Sequence, residues 1–249
     1  MLTVENLGKA YAGGREVLRE VGFSLAGDET LAVVGPSGCG KSTLLYMLCG
    51  LTRPGTGRVV LDGEPVRTPG GRVAIILQDY GLLPWKTVLD NVALGLKVQG
   101  VPRRERNERA KTLLAGMGLA GRERDYPSCL SGGEQQRVAI ARAYALEPRL
   151  LLMDEPFSSL DALTREKLQA TLLESWRRAP VPYVLVTHSV EEAAFLGRRI
   201  LVLAGDPATV RASFENPGFG EPGWRDDPGF HALVRRVRAS MEEHWEDRA

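Results

Sequence analysis

The run Gly35-Pro36-Ser37-Gly38-Cys39-Gly40-Lys41-Ser42-Thr43 fits the pattern G-x-x-x-x-G-K-[ST]. Its glycines let the backbone curl until consecutive N–H groups face one point, the arrangement that holds a phosphate. Lys41 adds a point charge for the β- and γ-oxygens of a nucleotide, and Ser42 a hydroxyl for Mg²⁺. Context strengthens the match. "ETLAVVG" before it is an apolar run ending in glycine, as a buried strand does, and "KSTLLYMLC" after it reads as a helix stopped by Gly50. Cys39 lies inside the loop: either a thiol reagent there blocks nucleotide, or the residue is merely small and inert.

Two further stretches carry chemistry. "LLLMDEP" places Asp154 and Glu155 at the carboxyl end of an apolar run, where ligands gather in open α/β sheets. Such a pair can divide the work, Asp154 holding hydrated Mg²⁺ while Glu155 orients and polarises the attacking water. "LSGGEQQR", Leu130 to Arg137, holds no metal-ligand set and no nucleophile beside a base. It is a glycine-punctuated turn running into the helical pattern "QQRVAIARAYAL", and a helix start offers its free N–H groups to an anion. One chain thus carries two phosphate-binding turns. An ordinary helix cap, with Glu134 near its start, is the plainer account of the second.

The elements that must position these residues alternate. "LTVEN", "VLREVGFSL", "ETLAVVG", "GRVVLDG" and "GRVAIIL" read as strands in the first third. The pattern turns helical from Val88 to about Ala120, including a charged helix beginning at Pro102. Strand "LLLMD", helix "ALTREKLQATLLESWRR", strand "PYVLVTH", helix "VEEAAFLG" and strand "RRILVLA" follow. Strands alternating with helices mean an α/β core with a parallel sheet. The helical block at roughly 86–140 interrupts that order as a separate subdomain. After Gly205 the chain is rich in Pro and Gly and ends in an amphipathic helix, "FHALVRRVRASMEEHW", read as a packing appendage.

Bulk properties remove several function classes. The 249 residues are 43% hydrophobic and 25% charged, ordinary for a globular protein, and the net charge of +1 gives no field for nucleic acid. No stretch approaches the ~20 apolar residues that span a bilayer. The sequence "MLTVENLGKAY" lacks the basic-then-apolar plan of a signal peptide. Cys39, Cys49 and Cys129 have no metal spacing, and reduced thiols in a cytosol are expected.

The phosphate loop, "LSGGEQQR", "LLLMDEP", "SSLD" and "THS" follow one another in the order found in ATP-binding-cassette (ABC) ATPases, and the chain resembles that family up to about Leu203. The resemblance implies a P-loop NTPase fold of the ABC type. It has a mostly parallel core sheet, an antiparallel β subdomain and an inserted helical subdomain. The implied ATPase domain is 1–204, with 205–249 as a C-terminal extension. ATP and Mg²⁺ are the implied cofactors. Two copies pair head to tail when ATP is bound, and the turn containing Ser131, Gly132 and Gly133 closes over the γ-phosphate held by the other copy, which explains the second phosphate turn. By the same resemblance Tyr11 stacks on adenine and Gln78 reaches Mg²⁺ and the attacking water. His188 hydrogen-bonds the γ-phosphate, and Asp161 lies in a loop that crosses the dimer. Cys129 departs from the pattern, since a polar residue usually precedes "LSGG".

An ATPase of this kind does work on something else. "LQDYGLLPWKTVLDNVALGL" exposes Leu83, Pro84 and Trp85, and exposed apolar patches mark interfaces. In ABC transporters the neighbouring groove receives a helix of the membrane permease. The string "LLPW-x-TV-x-x-NV" resembles the importer subfamily for nitrate, sulfonates and taurine. Cassettes for pyrimidine precursors and riboflavin-like compounds share similar strings. The implied partners are permease subunits and, through them, an extracytoplasmic solute-binding protein, with the chain peripheral on the cytoplasmic face of the cell membrane. A soluble ABC ATPase of DNA repair or translation is the alternative, but such chains carry tandem cassettes, coiled-coil insertions or basic surfaces. A P-loop kinase or GTPase would not need "LSGGEQQR".

Overall fold

The computed structural model describes residues 1–11 and 13–243. In chain order the elements are β1 (Leu2–Ala10), β2 (Glu16–Leu25), β3 (Thr30–Val34), α1 (Lys41–Leu48), β4 (Thr56–Leu61) and β5 (Glu64–Pro65). Next come β6 (Val73–Ile76), α2 (Val88–Val92), α3 (Leu94–Val98), α4 (Arg103–Gly116), α5 (Gly132–Ala145), β7 (Leu150–Asp154) and α6 (Ala162–Arg178). The chain finishes with β8 (Tyr183–Thr187), α7 (Val190–Leu196), β9 (Arg199–Gly205), β10 (Ala208–Glu215) and α8 (Pro228–Glu243). Two compact units result, one of residues 1–69 with 181–249 and one of residues 70–180.

In the first unit the strands run β5-β4-β1-β2-β10-β9-β3-β8. β1 is antiparallel to both β2 and β4, whereas β3 lies parallel to β8 and β9. The two kinds of pairing follow from burial. All five residues of β3 and of β8 are buried, as befits strands covered on both faces, while β2 buries only Leu18, Val21 and Leu25 and leaves Arg19, Glu20, Gly22 and Ser24 exposed. α1 packs on β8, and α7 on β3 and β8. α8 lays Phe230, Leu233, Val234, Val237 and Met241 against Ala193, Ala194, Ile200 and Val202 of α7 and β9. The expected terminal helix is therefore a packing element as far as Glu243, and its last two expected residues, 244 and 245, lie outside the described residues.

The second unit pairs β6 and β7 in parallel, with Ile76 beside Met153. α5 is its hub, meeting α2, α3, α4, α6 and β6. Ala139, Ala141, Ala143 and Ala145 are all buried, and such small side chains let neighbours come close. The helical stretch expected from Val88 to Ala120 is divided into α2, α3 and α4. One break is at Gly100, whose φ of +80° is a helix-ending left-handed turn. Pro102 stands at the N-cap of α4 with φ −55°, one residue before the position expected for it. No helix among the described residues is long and apolar enough to cross a membrane.

Candidate functional site

In the first unit the loop 35–40 joins β3 to α1, and its glycines are fixed by space as well as by torsion. A Cβ on Gly35 would fall 2.2 Å from the Leu203 carbonyl oxygen, so no side chain fits there. Gly38 and Gly40 have φ of +75° and +104°, the left-handed region in which glycine has no Cβ penalty. Gly40 is also the N-cap of α1 and brings no capping side chain of its own. Lys41 is only 5% exposed, and its Nζ donates to the carbonyl oxygens of Gly35 (3.0 Å) and Pro36 (3.1 Å). The ammonium is thus held against the loop it serves. Cys39 is buried at 2% exposure, which favours the inert, space-filling account of that thiol.

Two further expected residues lie around this loop. Tyr11 is half-exposed, with its hydroxyl 3.3 Å from Thr43 Oγ1 and Lys9 Nζ 5.3 Å from its ring centroid. That places an accessible aromatic ring beside the first turn of α1, just past the phosphate loop. His188 is exposed and follows β8, where Val34 of β3 pairs with Thr187. Gly35 and His188 therefore leave the same end of adjacent parallel strands. The His188 turn is fixed from behind. Ser189 Oγ accepts from the Glu192 N–H and caps α7, while the Ser189 N–H donates to Thr187 Oγ1.

In the second unit Asp154 ends β7 and is buried. Glu155 has φ +43°, a left-handed backbone uncommon outside glycine that gathers at functional turns. The turn is closed by Ser158, whose N–H and hydroxyl both donate to the Glu155 carbonyl, at 3.2 and 2.9 Å. Gln78, two residues past the end of β6, is exposed and leaves the same end of the β6–β7 pair as Asp154. The segment after Gln78 is tied down from two sides. Arg142 of α5 donates to the carbonyls of Tyr80 and Gly81, both at 2.6 Å, and the Tyr80 hydroxyl is 2.7 Å from Ser159 Oγ. Burial pushes the Arg142 pKa down, with Asp79 opposing. Beyond it, Leu83 is half-buried while Pro84 and Trp85 are exposed, Trp85 at 71%.

The second glycine turn is a capped helix start. Ser131 is the N-cap of α5 in a capping box: the Glu134 N–H donates to Ser131 Oγ, and Glu134 Oε2 accepts from the Ser131 N–H at 2.8 Å. Ser131 and Gly132 are exposed, whereas Gly133 is buried, and a Cβ there would come 2.8 Å from Thr164 Cγ2 of α6. Asp161 caps α6 by accepting from the Thr164 N–H at 3.0 Å. The capping account and the anion-binding account are compatible. The cap orders the turn and leaves its outer face open.

The family model for the ABC transporter matches residues 18–158, a span that holds both glycine turns, Gln78, Asp154 and Glu155. The chain belongs to the ABC transporter family. It is 42% identical to the taurine import ATP-binding protein TauB of Pseudomonas syringae pv. tomato, covering 97% of this chain and 95% of that one. An uncharacterized ABC transporter ATP-binding protein of Methanocaldococcus jannaschii is 47% identical, over 84% of this chain and 80% of its own. Among solved structures, the dimeric post-hydrolysis state of the cassette MJ0796 bound to ADP and Pi matches with a TM-score of 0.76 at 32% identity, covering 88% of this chain and all of that one. This ABC protein is an ATP-binding ATPase, and its α/β fold is that of the ABC cassettes. Four residues that brace these segments had no role in the sequence analysis: Asn91 and Arg142 behind the 78–87 segment, Ser158 behind Glu155, and Arg122 beside Glu134. Asn91 and Ser158 fall inside the strings "LLPW-x-TV-x-x-NV" and "SSLD", which do not reveal what their side chains hold, and nothing local marks Arg122 or Arg142.

Proposed function

We propose that this chain is the ATP-hydrolysing subunit of an importer for a small sulfonate such as taurine. The observation that carries the reading is its likeness, over nearly its whole length, to proteins named taurine import ATP-binding protein. Two copies would lie under a membrane permease on the cytoplasmic face, and an extracytoplasmic solute-binding protein would deliver the solute. Residues 1–204 form the cassette in this reading, and 205–249 an extension that braces it.

In the cycle we infer, Tyr11 stacks on adenine and the N–H groups of residues 35–43 hold the phosphates, with Lys41 neutralising the β- and γ-oxygens. Ser42, Gln78 and Asp154 offer a hydroxyl, an amide oxygen and a carboxylate, the hard oxygen donors that suit Mg²⁺ carried in by a nucleotide. Glu155 polarises the attacking water, and His188 hydrogen-bonds the γ-phosphate. Ser131 and Gly133 of one copy close over the nucleotide of the other, with Asp161 at the crossing between the two. Leu83, Pro84 and Trp85 meet the permease.

The test is capture of the tagged protein from detergent-solubilised native membranes, with partners identified by mass spectrometry. We expect a permease and a solute-binding protein, and the latter to bind taurine when purified. Recovery of only soluble or nucleic-acid-bound partners would overturn the transport reading. A binding protein that ignores taurine and other sulfonates would overturn the solute.

A further inference from the structure

The hydroxyl that the proposed cycle aims at the other copy's γ-phosphate is already committed. Ser131 Oγ has one proton and donates it to Glu134 Oε2 at 2.9 Å, while one of its lone pairs accepts from the Glu134 N–H at 3.3 Å. To donate to a phosphate, that proton must turn away from Glu134. The carboxylate would then stand as a full negative charge beside an incoming triphosphate. Its hydrogen bonds from the Ser131 N–H and hydroxyl hold its pKa below the ordinary carboxylate value, so it stays ionised.

One guanidinium offsets that charge. Arg122 places Nη2 3.3 Å from Glu134 Oε1 and 3.4 Å from the Cys129 carbonyl, and Nη1 3.0 Å from Asp125 Oδ2. It therefore ties the capping glutamate to both ends of the segment that leads into the turn. Arg137, one turn along α5, adds a second positive charge acting on Glu134. The two partners are 40% and 25% exposed at their side chains, wet enough for the pair to be worth little to folding but close enough to set the potential at Ser131.

We propose that Arg122 and Glu134 are positioning residues that set how readily ATP closes two copies of this chain. Glu134 holds the Ser131 proton in the open state and opposes the phosphate, and Arg122 cancels the opposition. The proposal rests on the reading that Ser131 meets the other copy's nucleotide. Glutamine serves a capping box as well as glutamate does, so Glu134→Gln removes the charge and keeps the turn.

The experiment follows ATP-driven dimerisation by sedimentation against protein concentration, with Mg²⁺-ATP, in the full chain carrying Glu155→Gln to stop turnover. Arg122→Ala is expected to weaken the dimer about five-fold, and Glu134→Gln to tighten it by a similar factor. The double variant should return to within about two-fold of the parent, because the charge that Arg122 offsets is gone. Nucleotide affinity of the single subunit stays as in the parent. Glu134→Gln without tightening, or a double variant as weak as Arg122→Ala, overturns the proposal, since either means Arg122 only holds the turn's fold. A parent that forms no ATP-dependent dimer fails earlier. It overturns the closure reading itself, and the proposal with it.

Discussion

Asn91 and Leu83 exchange a reciprocal pair of hydrogen bonds: the Leu83 N–H donates to Asn91 Oδ1 at 2.8 Å, and Asn91 Nδ2 donates back to the Leu83 carbonyl at 3.1 Å. The same Nδ2 reaches the carbonyls of Lys86 (3.1 Å) and Thr87 (3.0 Å), and the residue is wholly buried. One amide therefore shapes the backbone that presents Trp85. Aspartate at this position has the same size but no donors, and would face three carbonyls with a charge. Asn91→Asp should destabilise the protein by about 3 kcal/mol, read from urea unfolding. It should also lower permease recovery. Unfolding like that of the parent would remove Asn91 from this role.

Trp85 gives the complementary result. At 71% exposure its ring contributes little to the core, so Trp85→Ala should change stability by less than about 0.5 kcal/mol. Capture of the permease, and any stimulation of ATP hydrolysis by it, should nevertheless fall several-fold. Full recovery of permease by this variant would take the loop out of docking.

The three thiols should separate by rate. Cys129 is exposed, whereas Cys39 and Cys49 are buried, and burial pushes the Cys49 pKa up. Less thiolate and less access both slow Cys49 at neutral pH. Maleimide labelling followed by peptide mass mapping should mark Cys129 first and reach the other two only on unfolding. Labelling of Cys39 in the native protein at the rate of Cys129 would mean that the phosphate loop opens in solution.

What the sequence made legible, and what it did not, divides by the range of the interactions. α6 spans the residues its pattern predicts, Ala162 to Arg178, because apolar spacing and the Asp161 cap are both local. β7 and the phosphate loop were legible for the same reason. β10 was lost in the Pro/Gly-rich stretch, although from Val210 to Glu215 it alternates between half-buried and exposed residues. Its flanking composition outweighed a short period-two pattern. The left-handed backbones of Tyr80 and Glu155 are imposed by Arg142, Ser159 and Ser158, and nothing in either residue type announces them.

The glycines of that stretch have a packing role that composition disguised. A Cβ on Gly218 would fall 2.1 Å from Trp224 Cε3, and one on Gly229 3.0 Å from Trp224 Cη2, so the indole is seated between them. Trp224 Nε1 donates to the Ala194 carbonyl at 3.1 Å, and the ring meets Phe230 edge-on with centroids 6.0 Å apart. Trp224→Ala should cost about 3–5 kcal/mol in chemical denaturation. If the extension only braces the cassette, ATP affinity of the folded variant stays near that of the parent.

Asp161 gives a pH-dependent prediction whose sign can be worked out. Its carboxylate accepts from the Thr164 N–H at the start of α6, and that bond, followed by one from the Thr164 side chain, holds its pKa below the ordinary carboxylate value. The unfolded chain has the ordinary value, so it takes up a proton first as pH falls. The stabilisation is thus complete above the unfolded pKa and is lost as pH drops through the depressed folded one. An asparagine in its place would be a comparable N-cap but has no charge to lose. Urea midpoints of the parent and Asp161→Asn, compared from about pH 6 down to about pH 3, should therefore converge or cross, with the parent losing more. Because Asp161 is fully exposed, added salt should shrink the difference at the upper end of that range. A gap that stays constant across the whole range would mean that the ionised carboxylate does not cap α6.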